Sequence, residues 1–243
     1  MQDALGGDAA HTYVSAGASD VGRLRTSNQD AYGEFAAAGL WVVADGMGGY
    51  SEGDVAAHMV CDALAGVDTA SSLEEAVSAV RERINEVNAR LYRASIRPVN
   101  PVMSGSTVVV LLARGESCAV LWAGDSRAYR LRRGGLQRLT SDHTWAGELN
   151  IQEPPQGADH AITRAVGGEY ALLLDVSRKR VCAGDRYLLC SDGLTRELDD
   201  DRIAALLGRG DVRECAAALI AATLQNGARD NVTVVVVEAQ RSK

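Results

Sequence analysis

Four times in this chain an aspartate stands in a Gly-rich or polar turn beside an apolar, strand-like run. Asp45 follows Leu-Trp-Val-Val-Ala, Asp125 follows Ala-Val-Leu-Trp-Ala-Gly, Asp192 follows Tyr-Leu-Leu-Cys-Ser, and Asp230 precedes Asn-Val-Thr-Val-Val-Val-Val. Taken singly, each is equally a hairpin turn acid. Taken together they constrain the fold: carboxylates at strand ends that meet on one rim repel one another unless cations neutralise them, and a pair of Mg²⁺ or Mn²⁺ ions is their natural partner. The segment Asp45-Gly46-Met47-Gly48-Gly49 is too long and too Gly-rich for a tight hairpin and suits a backbone that offers carbonyl oxygens to a metal. A phosphate cradle is the other reading of such a loop, but the Lys-Ser/Thr ending of a P-loop is missing.

The pattern between these aspartates predicts the elements that carry them. Strands are expected at Tyr13–Ala16, Leu40–Ala44, Thr107–Ala113, Ser117–Ala123, Ala128–Arg132, Leu136–Leu139, Leu172–Ser177, Arg186–Cys190 and Val232–Glu238. The run from 107 to 139, punctuated by Arg-Gly-Glu and Arg-Gly-Gly turns, reads as an antiparallel meander. Helices are expected at about 51–64, 72–94, 200–207 and 212–225, the second capped by Ser71 or Ser72 with Glu74 and Glu75 in its first turn. Helices come in blocks rather than after every strand, which argues for an α+β fold, a sandwich of two mostly antiparallel sheets flanked by helices. Residues 1–10 read as a loose tail, 11–240 as one domain, and 146–160 as a polar excursion within a flap of about 142–165.

Charge and apolar content exclude several function classes. The 243 residues are 47% hydrophobic and carry a net charge of −7 with no basic run, so nucleic acid is not an expected partner. Apolar runs such as Val108–Ala113 fall far short of the ~20 residues of a membrane span, and the cytoplasm is the expected location. Cys61, Cys118, Cys182, Cys190 and Cys215 form no close pairs and read as buried free thiols. No Cys-x-x-Cys occurs and the four histidines are scattered, so any metal here is expected to be oxygen-ligated.

Seven motifs then appear in one order: Arg25-Thr-Ser-Asn28-Gln29-Asp30, Asp45-Gly46-Met47-Gly48-Gly49, Ser104-Gly105-Ser106-Thr107, Ala123-Gly124-Asp125-Ser126-Arg127-Ala128, Ile162-Thr163-Arg164-Ala165-Val166-Gly167, Ser191-Asp192-Gly193-Leu194 and Arg229-Asp230-Asn231-Val232-Thr233. From about Tyr13 to Glu238 the chain thereby resembles metal-dependent protein serine/threonine phosphatases of the phosphatase 2C type, in its bacterial, free-standing form. The resemblance implies an αββα fold and two Mn²⁺ or Mg²⁺ ions, with a weaker third. It makes Asp45 the carboxylate that bridges both metals, the Gly46 carbonyl a ligand of the second, and Asp192 and Asp230 the completion of the first. Asp125 with Asp192 resembles the third-metal site, its other reading being a turn acid. Asp30 resembles the acid that holds metal-associated water, Arg25 the guanidinium that grips the substrate phosphate in a bidentate fork, and Asn231 an orienting neighbour.

On this resemblance the metal pair supplies hydroxide at neutral pH, attack at phosphorus is in line, and no phosphoenzyme forms. Two departures stand out. Met47 occupies the position where eukaryotic members commonly carry a histidine that protonates the leaving group, and the flap is shorter than the usual bacterial one. His143 and His160 read either as supports of that flap or as surface-loop residues. The implied partners are phosphorylated Ser/Thr proteins and a cognate Ser/Thr kinase with its substrates, by analogy one governing a secretion system; the enzyme is expected to be a monomer. Two other readings stay open: a catalytically silent phosphoprotein-binding regulator, and a two-metal phosphoesterase of small substrates, which commonly uses histidine ligands.

Overall fold

The computed structural model describes residues 11–48, 52–67, 72–145 and 161–242. Two antiparallel sheets lie face to face. The first runs β1 (His11–Asp20), β11 (Val232–Arg241), β10 (Arg186–Cys190), β7 (Arg127–Arg132) and β8 (Gly135–Arg138) across its width. The second runs β2 (Asp30–Phe35), β3 (Leu40–Gly48), β5 (Val108–Arg114), β6 (Ser117–Ala123) and β9 (Asp175–Arg180), with the short β4 (Ser104–Ser106) paired to the end of β3. Helices α1 (Glu52–Ala65) and α2 (Leu73–Ser95) cover the second sheet. Helices α3 (Asp192–Thr195), α4 (Asp200–Leu207) and α5 (Val212–Asn226) cover the first.

Both faces of each sheet are covered, which is why the strands read as continuous apolar runs. Successive side chains point to opposite faces. In β3, Leu40, Val42 and Ala44 pack under α1 and α2, while Trp41 and Val43 enter the layer between the sheets. In β11, Val235 and Val237 enter that same layer while Val234 and Val236 pack with Leu207 and Leu219 of the helices. Full burial of a side chain such as Leu121 or Ile84 contributes about 1.5–3 kcal/mol. Helix α2 starts at a reciprocal cap, in which the Ser72 hydroxyl accepts from the Glu75 N–H and the Glu75 carboxylate accepts from the Ser72 N–H.

The expected α+β sandwich stands, and several elements differ from the sequence reading. The 107–139 meander is split between the sheets: β5–β6 is a hairpin of the second, β7–β8 a hairpin of the first. The chain changes sheet at Gly124, whose φ of 106° and close approach to Thr107 admit no side chain. The strand expected at Leu172–Ser177 lies at Asp175–Arg180, because Leu172 and Leu174 plug the core under α2 instead of pairing. Strand β3 does not stop before Asp45 but continues to Gly48, held by β4. Strand β2 escapes a periodicity reading because Asp-Ala-Tyr-Gly-Glu-Phe is polar and Gly-interrupted. Of the five free thiols, Cys182 is exposed rather than buried. The tail 1–10, residues Gly49 to Ser51 and the flap segment 146–160 with His160 lie outside the described residues.

Candidate metal centre

One end of the sandwich gathers the acidic side chains that the sequence singled out. Asp30 opens β2 directly opposite Asp45 of β3. Asp125 sits where the chain crosses from β6 to β7, Asp192 opens α3 just after β10, and Asp230 lies two residues before β11, next to Asn231. Four loops and two sheets therefore converge on one rim.

The backbone around each acid is fixed locally. The Asp45 N–H donates to Thr107 Oγ1 at 3.0 Å, and its carbonyl accepts from the Thr107 N–H at 2.9 Å and from Ser106 Oγ at 3.2 Å. Thr107 Oγ1 in turn meets Ser126 Oγ at 2.7 Å, which ties the Asp45 and Asp125 segments together. Gly46 has to be glycine because a Cβ there would lie 2.0 Å from the Gly53 carbonyl oxygen at the start of α1. Asn231 staples the Arg25 loop to β11: its amide donates to the Val21 and Ser27 carbonyls at 2.9 Å each, and its Oδ1 accepts from the Gln29 N–H at 2.9 Å.

Electrostatically the cluster is strained. Burial, first, and then the charges of Asp30, Asp192, Asp125 and Asp230 hold the Asp45 carboxyl well above the usual carboxylate range. Asp192 is pushed up to about 7 by burial and by Asp125, against the relief that Arg196 gives. Asp30 rises to about 6, chiefly by burial, although hydrogen bonds from Ser191 and Thr233 pull it down. Asp125 is raised by burial and by Asp142. Asp30 Oδ2 accepts from Ser191 Oγ at 2.8 Å, but Asp30 Oδ1 and Asp125 Oδ1 are buried acceptors with no hydrogen-bond partner.

These features fit a hard cation, which takes carboxylate and carbonyl oxygens and relieves like-charge repulsion. The oxygens are nevertheless not all turned to a common point. Among the described residues no three such side chains stand in joint coordinating geometry. Arginines hold two of them instead. Arg25 grips Asp230 with two prongs, Nε to Oδ1 at 2.8 Å and Nη2 to Oδ2 at 2.8 Å. Arg196 pairs with Asp192 and reaches Asp230 Oδ2 at 3.3 Å.

Arg25 therefore lies at the rim, about half exposed, in contact with an acid of the cluster. Met47 pairs with Gly105 across β3 and β4 and carries no exchangeable proton. His143 is buried, not on a surface loop: its Nδ1 accepts from the Gly124 N–H at 3.1 Å, its Nε2 meets Asp175 at 3.3 Å, and its ring stacks on Trp122. It braces the corner that presents Asp125. Arg196 was not found from the sequence, although its spacing of four residues from Asp192 across a helical turn is a readable ion-pair signal.

Residues 22–228 match the family model described as Protein phosphatase 2C. Over 228 residues the chain is 34% identical to the serine/threonine protein phosphatase PstP of Mycobacterium tuberculosis, an alignment that takes in 90% of this chain and 44% of the relative. The chain thus spans less than half of that relative's length. To the serine/threonine phosphatase stp of Listeria monocytogenes it is 32% identical over 237 residues, covering 90% of the chain and 93% of the relative. Among solved structures it is similar to PppA, a key regulatory component of T6SS in Pseudomonas aeruginosa, at 42% identity and a TM-score of 0.88, covering 95% of this chain and 99% of that one. The catalytic domain of PstP in complex with two manganese ions matches at 34% identity and a TM-score of 0.83, over 95% and 99%.

Proposed function

The chain belongs to the protein phosphatase 2C family, and from that premise we propose that it is a metal-dependent protein serine/threonine phosphatase acting by direct attack of water on the phosphorus of phosphoserine and phosphothreonine. The observation that carries the reading is the convergence of Asp30, Asp45, Asp125, Asp192 and Asp230, acids whose charges oppose one another and of which Asp30, Asp125 and Asp192 are buried. A pair of Mn²⁺ or Mg²⁺ ions held by Asp45, the Gly46 carbonyl, Asp192 and Asp230, with Asp125 and Asp192 available to a weaker third, supplies the charge that lowers the pKa of water towards ~7.

The chain's own groups do the rest. With Oδ2 tied to Ser191, Asp30 keeps Oδ1 free to accept a hydrogen bond from the attacking water and to orient it. Arg25 reaches from a half-exposed position to hold two equatorial phosphate oxygens at once, a geometry its planar fork already adopts on Asp230. Cys190 is fully buried with its thiol pushed up to about 12, so it offers no thiolate to compete as nucleophile. Positioning and charge stabilisation account for the catalysis.

The same reading places one catalytic domain over residues 11–240, acting as a cytoplasmic monomer on phosphorylated proteins. The likeness to PppA supports a role in secretion-system regulation, in which the chain would oppose a Ser/Thr kinase. Turnover of p-nitrophenyl phosphate and of a phosphothreonine peptide with Mn²⁺, then with EDTA, tests the activity. Both substrates should turn over with Mn²⁺ and neither with EDTA. Activity that ignores chelation, absence of activity with every metal, or preference for nucleotides over the peptide would overturn the reading. Phosphoproteomics after gene deletion tests the pathway.

A further inference from the structure

Arg196 closes α3 four residues after Asp192, and its guanidinium spans two acids. It pairs with Asp192 Oδ2 and stands 3.3 Å from Asp230 Oδ2, an atom that also accepts from Arg25 Nη2 at 2.8 Å. With Arg25 Nε on Asp230 Oδ1, guanidinium groups engage three of the four carboxylate oxygens of Asp192 and Asp230. Asp30 Oδ1 and Asp125 Oδ1, beside them, have no hydrogen-bond partner at all. The two acids assigned to the first metal are thus the two that internal cations already neutralise, and Arg196 is the one that touches both.

We propose that Arg196 is a built-in counter-cation of the metal centre, which holds Asp192 and Asp230 in the metal-free protein and has to release both before a divalent cation binds, so that it sets metal affinity. The inference rests on the metal-dependent reading above. Two physical effects act in one direction. Binding breaks charge-assisted hydrogen bonds, and the released guanidinium stays near the entering cation and repels it. One effect opposes them: by bridging Asp192 and Asp230, Arg196 also keeps the two carboxylates close together, and its loss lets them splay. Because Arg196 is 39% exposed, its pairs are partly screened, and the net gain on removing it is about tenfold in metal affinity.

Calorimetric titration of the EDTA-stripped full chain with MnCl₂ tests this in the wild type, Arg196→Gln and Arg196→Lys. Arg196→Gln should bind Mn²⁺ about tenfold more tightly, and Arg196→Lys, whose ammonium cannot span both acids, a few-fold more tightly. Without metal, Arg196→Gln should melt below the wild type; at saturating Mn²⁺ the two should melt together. Equal or weaker Mn²⁺ binding by Arg196→Gln, with the wild type binding normally, overturns the inference and leaves the metal-dependent reading standing. A wild type that takes up no Mn²⁺ overturns both. Should Arg196→Gln fail to fold, Arg196→Lys decides: affinity equal to or below the wild type sinks the proposal.

Discussion

Asp30 and Asp45 face each other as directly paired residues of β2 and β3, two acids on neighbouring antiparallel strands at the rim of the sandwich. Like charges placed directly opposite in a ladder destabilise it, so the pairing needs a compensating partner, and the two acids divide the work. Asp45 is reached by the charges of all four other acids, whereas Asp30 is anchored by Ser191 and keeps one oxygen free. Asp30→Asn should therefore lower kcat by about 10²–10⁴ while leaving Mn²⁺ binding close to the wild type. Steady-state kinetics beside calorimetry checks this; loss of Mn²⁺ binding would make Asp30 a ligand instead.

The raised carboxyls also fix how the metal-free protein responds to pH. Asp30 stands at about 6 and Asp192 at about 7 in the folded state, above the ~3.9 of an unfolded aspartate. A carboxyl whose folded value is raised stabilises the fold fully only below its unfolded value, and that stabilisation is lost as pH rises through the folded value. Melting of the EDTA-stripped protein should accordingly fall as pH goes from 5 to 8. Mn²⁺ should restore it most at the upper end. A melting temperature that stays flat or climbs across that window without metal would show that the acids are not strained.

Arg25 should separate binding from metal uptake. Arg25→Ala removes the two-pronged grip expected on phosphate and should cut kcat/KM by about 10–100-fold, with Mn²⁺ stoichiometry unchanged. Arg25→Lys should recover only part of this, since a point charge cannot reproduce the fork. Full activity in Arg25→Ala would transfer the role to another cation.

Much of this site was legible because its residues are tied to apolar strands that announce themselves. Asp192 and Asp230 border runs buried on both faces, and a strand end next to glycine or asparagine is visible without coordinates. What stayed hidden depends on contacts between segments far apart in the chain. The split of the 107–139 hairpins between two sheets turns on the Gly124 corner, and hairpin spacing alone cannot tell a meander from a change of sheet. The bracing of Gly124 by His143 and the bridging of Asp192 and Asp230 by Arg196 are likewise products of tertiary placement.

Asn231 offers a stability test of such a placement. Its side chain satisfies the Val21 and Ser27 carbonyls and the Gln29 N–H from a buried position. Asn231→Asp keeps the shape, replaces the NH₂ group and its two donors by one acceptor oxygen facing both carbonyls, and adds charge to an acidic rim. With each unsatisfied buried group costing about 1–3 kcal/mol, a loss of about 3 kcal/mol is expected, or ~6–12 °C in Tm. Asn231→Ala should cost less: it also leaves the Gln29 N–H unpaired, but it sets neither a charge nor a repelling oxygen against the two carbonyls. Equal melting of the two variants would show that the rim's charge does not reach this position.

Gly193 is where backbone packing and the site meet most tightly. A Cβ there would lie 1.9 Å from the Asn231 carbonyl oxygen and 3.4 Å from the Val232 Cα, both backbone atoms where the loop that carries Asp230 enters β11. Neither can yield as a side chain would, so Gly193→Ala has to push α3 and the start of β11 apart, separating Asp192 from Asp230. The cost belongs with overpacked cores, about 1–3 kcal/mol or more, and the metal affinity should fall along with the Tm. Gly66→Ala is the control: nothing lies within 4 Å of its Cβ and its backbone is not left-handed, so its melting and Mn²⁺ titration should match the wild type. If Gly193→Ala melts and binds Mn²⁺ like Gly66→Ala, the close contact between the Asp192 and Asp230 loops is not what holds these two acids in place.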